Sequence, residues 1–214
     1  MAINKARTST PMKVLIIALA VIMALFILLP TITSFFNQPR VNSSAQTGTT
    51  TATADQLAQQ YQGTIQANDA ALVKSPKDFT ILVNQGNTYF DWAQKTAQAS
   101  GQADPTMSAA LWKKAAGYYE RAIATTKTVD PQVTADLAVT YYYGGEVNKA
   151  IVTIQKVLKV SPDLPQAVLN SGIFYESAAQ TATAVAAYNK YLTLKGVSTD
   201  SVTFVKGRLA EIQK

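Results

Sequence analysis

The chain repeats itself in two consecutive stretches: PQVTADLAVTYYYGGEVNKAIVTIQKVLKVSPDL at Pro131–Leu164 and PQAVLNSGIFYESAAQTATAVAAYNKYLTLKGVS at Pro165–Ser198. Both open on Pro-Gln, and both are 34 residues long. When they are aligned, Leu137-Ala138-x-x-Tyr141 stands over Ser171-Gly172-x-x-Tyr175, and the small residues Ala150 and Ala184 each follow their tyrosine by nine positions. Ile154 and Val157 in the first stretch, and Tyr188 and Tyr191 in the second, continue a helical spacing of apolar residues. Gly145 can end a first helix, and Pro162 follows a second. Each stretch therefore predicts two antiparallel helices. The pairs Ala138 with Ala150 and Gly172 with Ala184 are small enough to let the helices approach closely. Tyr141 and Tyr175 then supply the bulk between successive units, and each unit's uncovered apolar face requires a neighbour to stack on it.

Upstream, Asn84-Gln85-Gly86-Asn87-Thr88-Tyr89 is followed by Ala115, Tyr119 and Ala122. Here the tyrosine-to-alanine spacing is 26 rather than nine, so about 17 extra residues separate the two helices. This unit has Gln85 where the others carry Leu137 or Ser171, with Leu82 as the expected apolar substitute. The repeat length, the small pairs and the tyrosines resemble those of the tetratricopeptide repeat (TPR) family over roughly residues 79–198. The resemblance implies an all-α superhelix of antiparallel helix pairs, with repeats at about 79–130, 131–164 and 165–198. A helix at 54–75, with Leu57, Tyr61, Ile65 and Leu72 on one face, is expected to close one end. A helix at 198–213, with Val202, Val205 and Leu209 inward, is expected to close the other.

The insertion at 92–106 has two readings. In the first, Ala93–Ala99 extends one helix, Ser100-Gly101 breaks it, and Asp104-Pro105 starts the next, with Trp92 against Trp112. In the second it projects to bind a partner.

The N-terminal part is different in kind. Val14–Leu29 is an uninterrupted run of sixteen apolar residues, twelve of them Val, Leu, Ile or Phe. These favour bilayer insertion by about 4–7 kcal/mol. Continued to Phe36, the segment 14–36 reaches about 34 Å as a helix, enough for a hydrocarbon core of about 30 Å. A cleaved signal peptide is the competing reading, but Ser43-Ser44-Ala45 lies some 15 residues beyond Leu29, farther than a cleavage site usually sits. A lipid-modified cysteine is excluded, because the chain has none. Lys5, Arg7 and Lys13 precede the run and only Arg40 closely follows it, which predicts residues 1–13 in the cytoplasm and the repeats outside it, on the plasma (inner) membrane. Residues 37–53, rich in Ser, Thr, Gln, Asn and Ala, predict a flexible tether.

Composition narrows the chemistry. The chain has no histidine and no cysteine, which removes the usual zinc ligands and the Ser-His and Cys-His nucleophile pairs. No metal site, cofactor, small-molecule substrate or catalytic residue is expected, and the chain does not read as an enzyme. The net charge of +6 includes three charges ahead of the apolar run, and 16 Lys/Arg against 13 Asp/Glu in the remainder is a weak case for nucleic acid.

TPR domains commonly receive peptides on the face lined by their first helices. Carried residue by residue onto this chain, that face comprises Val83, Asn87, Phe90 and Asp91, then Ala135, Val139 and Tyr142, then Leu169, Ile173 and Glu176. Its mostly apolar character argues against a clamp for a peptide carboxylate. Asn84 and Asn170 can bond either a ligand backbone or their own structure, and Asp91 and Glu176 read as solvated groups rather than a catalytic pair. The chain resembles bacterial single-pass, membrane-anchored TPR proteins. The expected function is a scaffold or assembly factor holding a protein partner near the membrane. The alternative is a permanent structural subunit of a membrane complex.

Overall fold

A computed structural model describes residues 54–99 and 105–213. The N-terminal residues 1–13, the apolar segment 14–36 and the tether 37–53 lie outside the described residues, as does the break at 100–104. Among the described residues no helix is long and apolar enough to cross a membrane.

The described chain is helical from end to end. Its helices are α1 (Ala54–Lys74), α2 (Phe79–Ala99), α3 (Pro105–Ile123), α4 (Pro131–Tyr143), α5 (Val147–Val160), α6 (Pro165–Ser177), α7 (Thr181–Thr193) and α8 (Thr199–Ile212). The most extensive packing is within the pairs α2–α3, α4–α5 and α6–α7, and each pair packs on the next in sequence. α1 closes one end on α2 and α8 the other on α7. The extra residues of the first pair thus lengthen α2 and α3, to 21 and 19 residues, against 13 and 14 for α4 and α5.

The tight approach within pairs has a specific partner. A Cβ added to Gly86 would sit 2.7 Å from two ring carbons of Tyr119, and one added to Gly172 would sit 2.5 Å from Tyr188. Both tyrosine rings are fully buried, so the glycines make room for an aromatic face and not only for a neighbouring backbone. In the middle unit the equivalent positions hold Ala138 and Ile154, both buried to 0% exposure. A larger first residue there faces a smaller second one, which keeps the volume of the pair roughly constant.

Between units the tyrosines of the first helices make polar as well as apolar contacts. Tyr141 is buried between its neighbours and its hydroxyl donates to Glu120 on α3. Tyr175 is likewise buried, and its hydroxyl accepts from Gln155 Nε2 on α5 at 3.0 Å. Tyr89 instead stacks within its own pair, on Tyr118 of α3, with centroids 5.6 Å apart. Burial raises the pKa of Tyr89 and Tyr141 above the usual phenol value, so both stay protonated at neutral pH.

Gln85, the position where an apolar residue was expected, is fully buried, and α1 explains it. Its amide accepts from Asn68 Nδ2 at 2.8 Å and donates to Asp69 Oδ1 at 3.0 Å and to the Ile65 carbonyl at 3.4 Å. Leu82 does sit in the core at 1% exposure, but beside the glutamine and not in place of it. The expected Trp92–Trp112 contact is corrected: Trp92 stacks on Tyr61 (5.7 Å) and Tyr89 (6.2 Å), whereas Trp112 meets Phe90 edge-on (5.0 Å) and stacks on Tyr143 (5.1 Å). The two rings sit on different turns of long helices and serve α1 and α4 respectively.

The turns between paired helices recur. Glu146 N–H bonds the Tyr141 carbonyl at 2.8 Å and Gln180 N–H bonds the Tyr175 carbonyl at 2.8 Å, so both first helices end in the same reversed cap. The left-handed residue of that cap is Gly145 (φ 82°) in one unit and Ala179 (φ 57°) in the next.

Candidate functional site

The first helices α4 and α6 touch directly, and their contact exceeds that between the second helices α5 and α7. A stack whose first helices lie closer together than its second helices curves toward the first helices. The inner layer of this part of the stack is therefore α4 and α6, and α2 is the first helix of the pair before them.

The sequence-derived candidates fall on this layer with unequal exposure. Val83, Phe90, Tyr142, Leu169 and Ile173 are half-buried, each with one side packed on the core. Val139 is 9% exposed and Ala135, one turn before it, is 0% exposed, so both are buried in the core. They serve repeat packing and are not open to a ligand. Tyr142 is pinned by stacking on Phe174 (4.9 Å) and by a 2.9 Å hydrogen bond between its hydroxyl and Ser177 Oγ. Asn87 is exposed, and its Oδ1 accepts from the Tyr119 hydroxyl at 2.7 Å.

Asp91 and Glu176, expected to be solvated groups, are both held internally. Asp91 accepts from the Tyr61 hydroxyl of α1 and pairs with Lys95 at 3.4 Å. Glu176 pairs with Arg208 of α8 and accepts from the Tyr188 hydroxyl at 2.7 Å. Its bond to Arg208, with that from Tyr188, holds its carboxyl below the usual carboxylate range despite partial burial.

Asp136 differs. It is a half-buried carboxylate on α4, and its Oδ1 accepts one long bond from Gln166 Nε2 on α6, at 3.5 Å. Among the described residues it forms no ion pair. Burial pushes its pKa up to about 6, with Asp130 adding repulsion and Gln166 opposing both. Sequence reasoning missed this residue. Its register was the available signal: counting back five from Tyr89, Tyr141 and Tyr175 gives Asn84, Asp136 and Asn170, so the middle unit carries a charge where its neighbours carry amides.

Among the described residues no group of acidic side chains could hold a metal ion. The surface is a fixed array of half-exposed apolar rims and amides around one carboxylate, which suits recognition of a chain segment.

No family model and no curated protein matches the sequence. Among solved structures it is similar to TTC0263, a thermophilic TPR protein of Thermus thermophilus, at 15% identity over 75% of this chain and 77% of that one, with a TM-score of 0.54. It also aligns with YrrB, a TPR protein with an unusual peptide-binding site, at 18% identity over 72% of this chain and 88% of that one, TM-score 0.41. A third alignment, to MamA, has 23% identity over 66% of this chain and 93% of that one, TM-score 0.37. The first likeness shows the fold: the described helices form a TPR-type stack.

Proposed function

We propose that this chain is a membrane-anchored scaffold or assembly factor whose inner helix layer receives an extended segment of a partner protein outside the cytoplasm. One observation carries the recognition part. Val83, Phe90, Tyr142, Leu169 and Ile173 stand half-exposed along α2, α4 and α6 on side chains anchored by their own packing. Such pre-organised rims lose little conformational freedom on binding. The anchor and the orientation rest on the sequence: the apolar segment 14–36 and the basic residues Lys5, Arg7 and Lys13 ahead of it.

Capture of the partner from native membranes by crosslinking tests the recognition part. Tyr142→Ala combined with Ile173→Ser should lower capture by about tenfold or more. Val152→Ser, at an exposed position on the outer helix α5, should leave it unchanged. Equal capture by all three proteins, with the helical signal intact, would remove the inner layer as the binding face. A melting temperature lowered by the Tyr142 and Ile173 changes as far as by Gly172→Leu would show that the chain itself fills the groove. A C-terminal reporter active only in the cytoplasm should stay silent; activity would refute the orientation.

A further inference from the structure

Resting on that reading, we propose that the inner layer selects a partner segment carrying a lysine or arginine side chain, with Asp136 as its counter-ion. The argument begins with the three carboxylates of the first helices. Asp91 has Lys95, and Glu176 has Arg208, so each is neutralised within the chain. Asp136 has only the long bond from Gln166. A half-buried carboxylate without a cation is costly to keep ionised, and an incoming ammonium or guanidinium offsets that cost.

The flanking units isolate the charge. Asn84 and Asn170 occupy the same register as Asp136 and are neutral, so a positive side chain gains by sitting on the middle unit alone. The groups facing Asp136 come from three elements: Tyr119 on α3, Asp130 just ahead of α4, and Gln166 on α6. None is cationic, and Gln166 offers an amide that can turn to a ligand once the carboxylate is paired. Tyr142 farther along α4 and Ile173 on α6 are half-buried rings and aliphatic groups packed on the core, so the segment that fits is a cationic residue within an apolar stretch. The carboxylate also rejects acidic segments, since a like charge opposite a buried one is strongly unfavourable.

Selection from a synthetic library tests this with the full chain in detergent. The probe is a set of random nonapeptides, each with one central position fixed as Lys, Arg, norleucine or Glu. Lys and Arg sub-libraries should be retained about tenfold more than norleucine, and Glu least. Asp136→Asn should bring retention of the Lys and Arg sub-libraries to the level of its norleucine sub-library, and Asp136→Lys should reverse the preference toward Glu. The wild-type preference should fade as pH drops below about 6, where Asp136 takes up its proton. A cation preference that survives in Asp136→Asn would overturn the assignment. Peptide retention with no charge preference at the fixed position would overturn it too, while leaving the groove intact as a binding face. No retention of any sub-library would instead fail the underlying groove reading. Stronger retention after Arg40→Gln would make the chain's own residue the occupant, and self-association lost in Asp136→Asn would make it a second copy; either result overturns the partner segment.

Discussion

Replacing Gly172 with alanine puts one carbon where the Tyr188 ring already lies. The new Cβ would meet Cε1 at 2.5 Å and Cδ1 at 2.6 Å, against ordinary contacts of 3.4–4 Å. The ring must withdraw by about 1 Å, yet it is fully buried and tied to Glu176 through its hydroxyl. Overpacking of this kind costs about 1–3 kcal/mol, and the better helix propensity of alanine returns about 1. Gly172→Ala should therefore destabilise the fold by up to about 2 kcal/mol. Tyr188→Ile alone should cost about 3 kcal/mol, through the space vacated and the lost hydroxyl bond.

The two changes together recreate the pair found 34 residues earlier, Ala138 with Ile154. The double variant should then be less destabilised than the sum of the single ones by about 2 kcal/mol, a coupling typical of residues in direct contact. Equilibrium urea unfolding of residues 54–214, followed by helical dichroism, reads all four corners of the cycle. Repeat stacks can unfold in parts, so a probe on α7 should accompany the global signal. Strict additivity would refute the reasoning, because it would mean that Gly172 and Tyr188 do not share the space that the geometry assigns them.

Three further outcomes follow from individual residues. Ala179→Gly should raise stability by about 0.5–1 kcal/mol, since Ala179 holds φ 57° where the preceding unit has Gly145; a lower melting temperature would contradict it. Gln85→Leu should cost about 1–2 kcal/mol and quicken amide exchange in α1 by about tenfold while sparing α6 and α7, because the glutamine's three bonds all go to α1; uniform quickening would show that it is not a local tie. Asp136→Asn should stabilise the domain at pH 7 by about 2 kcal/mol. The native carboxyl, raised to about 6, binds its proton more tightly than the unfolded one, so the parent loses stability as pH rises from about 4 to 6. The variant should lack that slope, and an unchanged pH profile would refute the burial argument.

The helix pairs were legible because the demands of their packing recur at fixed intervals. Tyr141 and Tyr175, Ala150 and Ala184, and the Pro-Gln starts declare the repeat without any knowledge of contacts. Gln85 was legible only as a departure, since the reason for it lies in Asn68 and Asp69 of α1, which no repeat rule covers. The inner layer was readable in register but not in exposure. Val139 and Tyr142 lie three residues apart on one helix, yet the first is buried and the second half-open. The pairing of Glu176 depends on Arg208, 32 residues away on a helix outside the repeats, so the sequence pattern alone made it a solvated group.

Asp136 draws its meaning from that same distant chemistry. The fold neutralises Asp91 and Glu176 by reaching out to Lys95 and Arg208, and it places amides at the two positions equivalent to Asp136. An asparagine there would complete an uncharged row and remove a buried charge that stability alone disfavours. The glycine–tyrosine pairs, the inter-unit hydroxyl bonds and the reversed caps each have a packing reason; within the stack the charge at Asp136 has one long bond from Gln166 and no cation among the described residues. A group that weakens the fold while facing its inner layer is the expected signature of a binding determinant, since stability is what such positions give up for recognition. The stabilisation by Asp136→Asn and its loss of cation preference are therefore two sides of one argument. A variant that gained stability yet kept the preference would separate them.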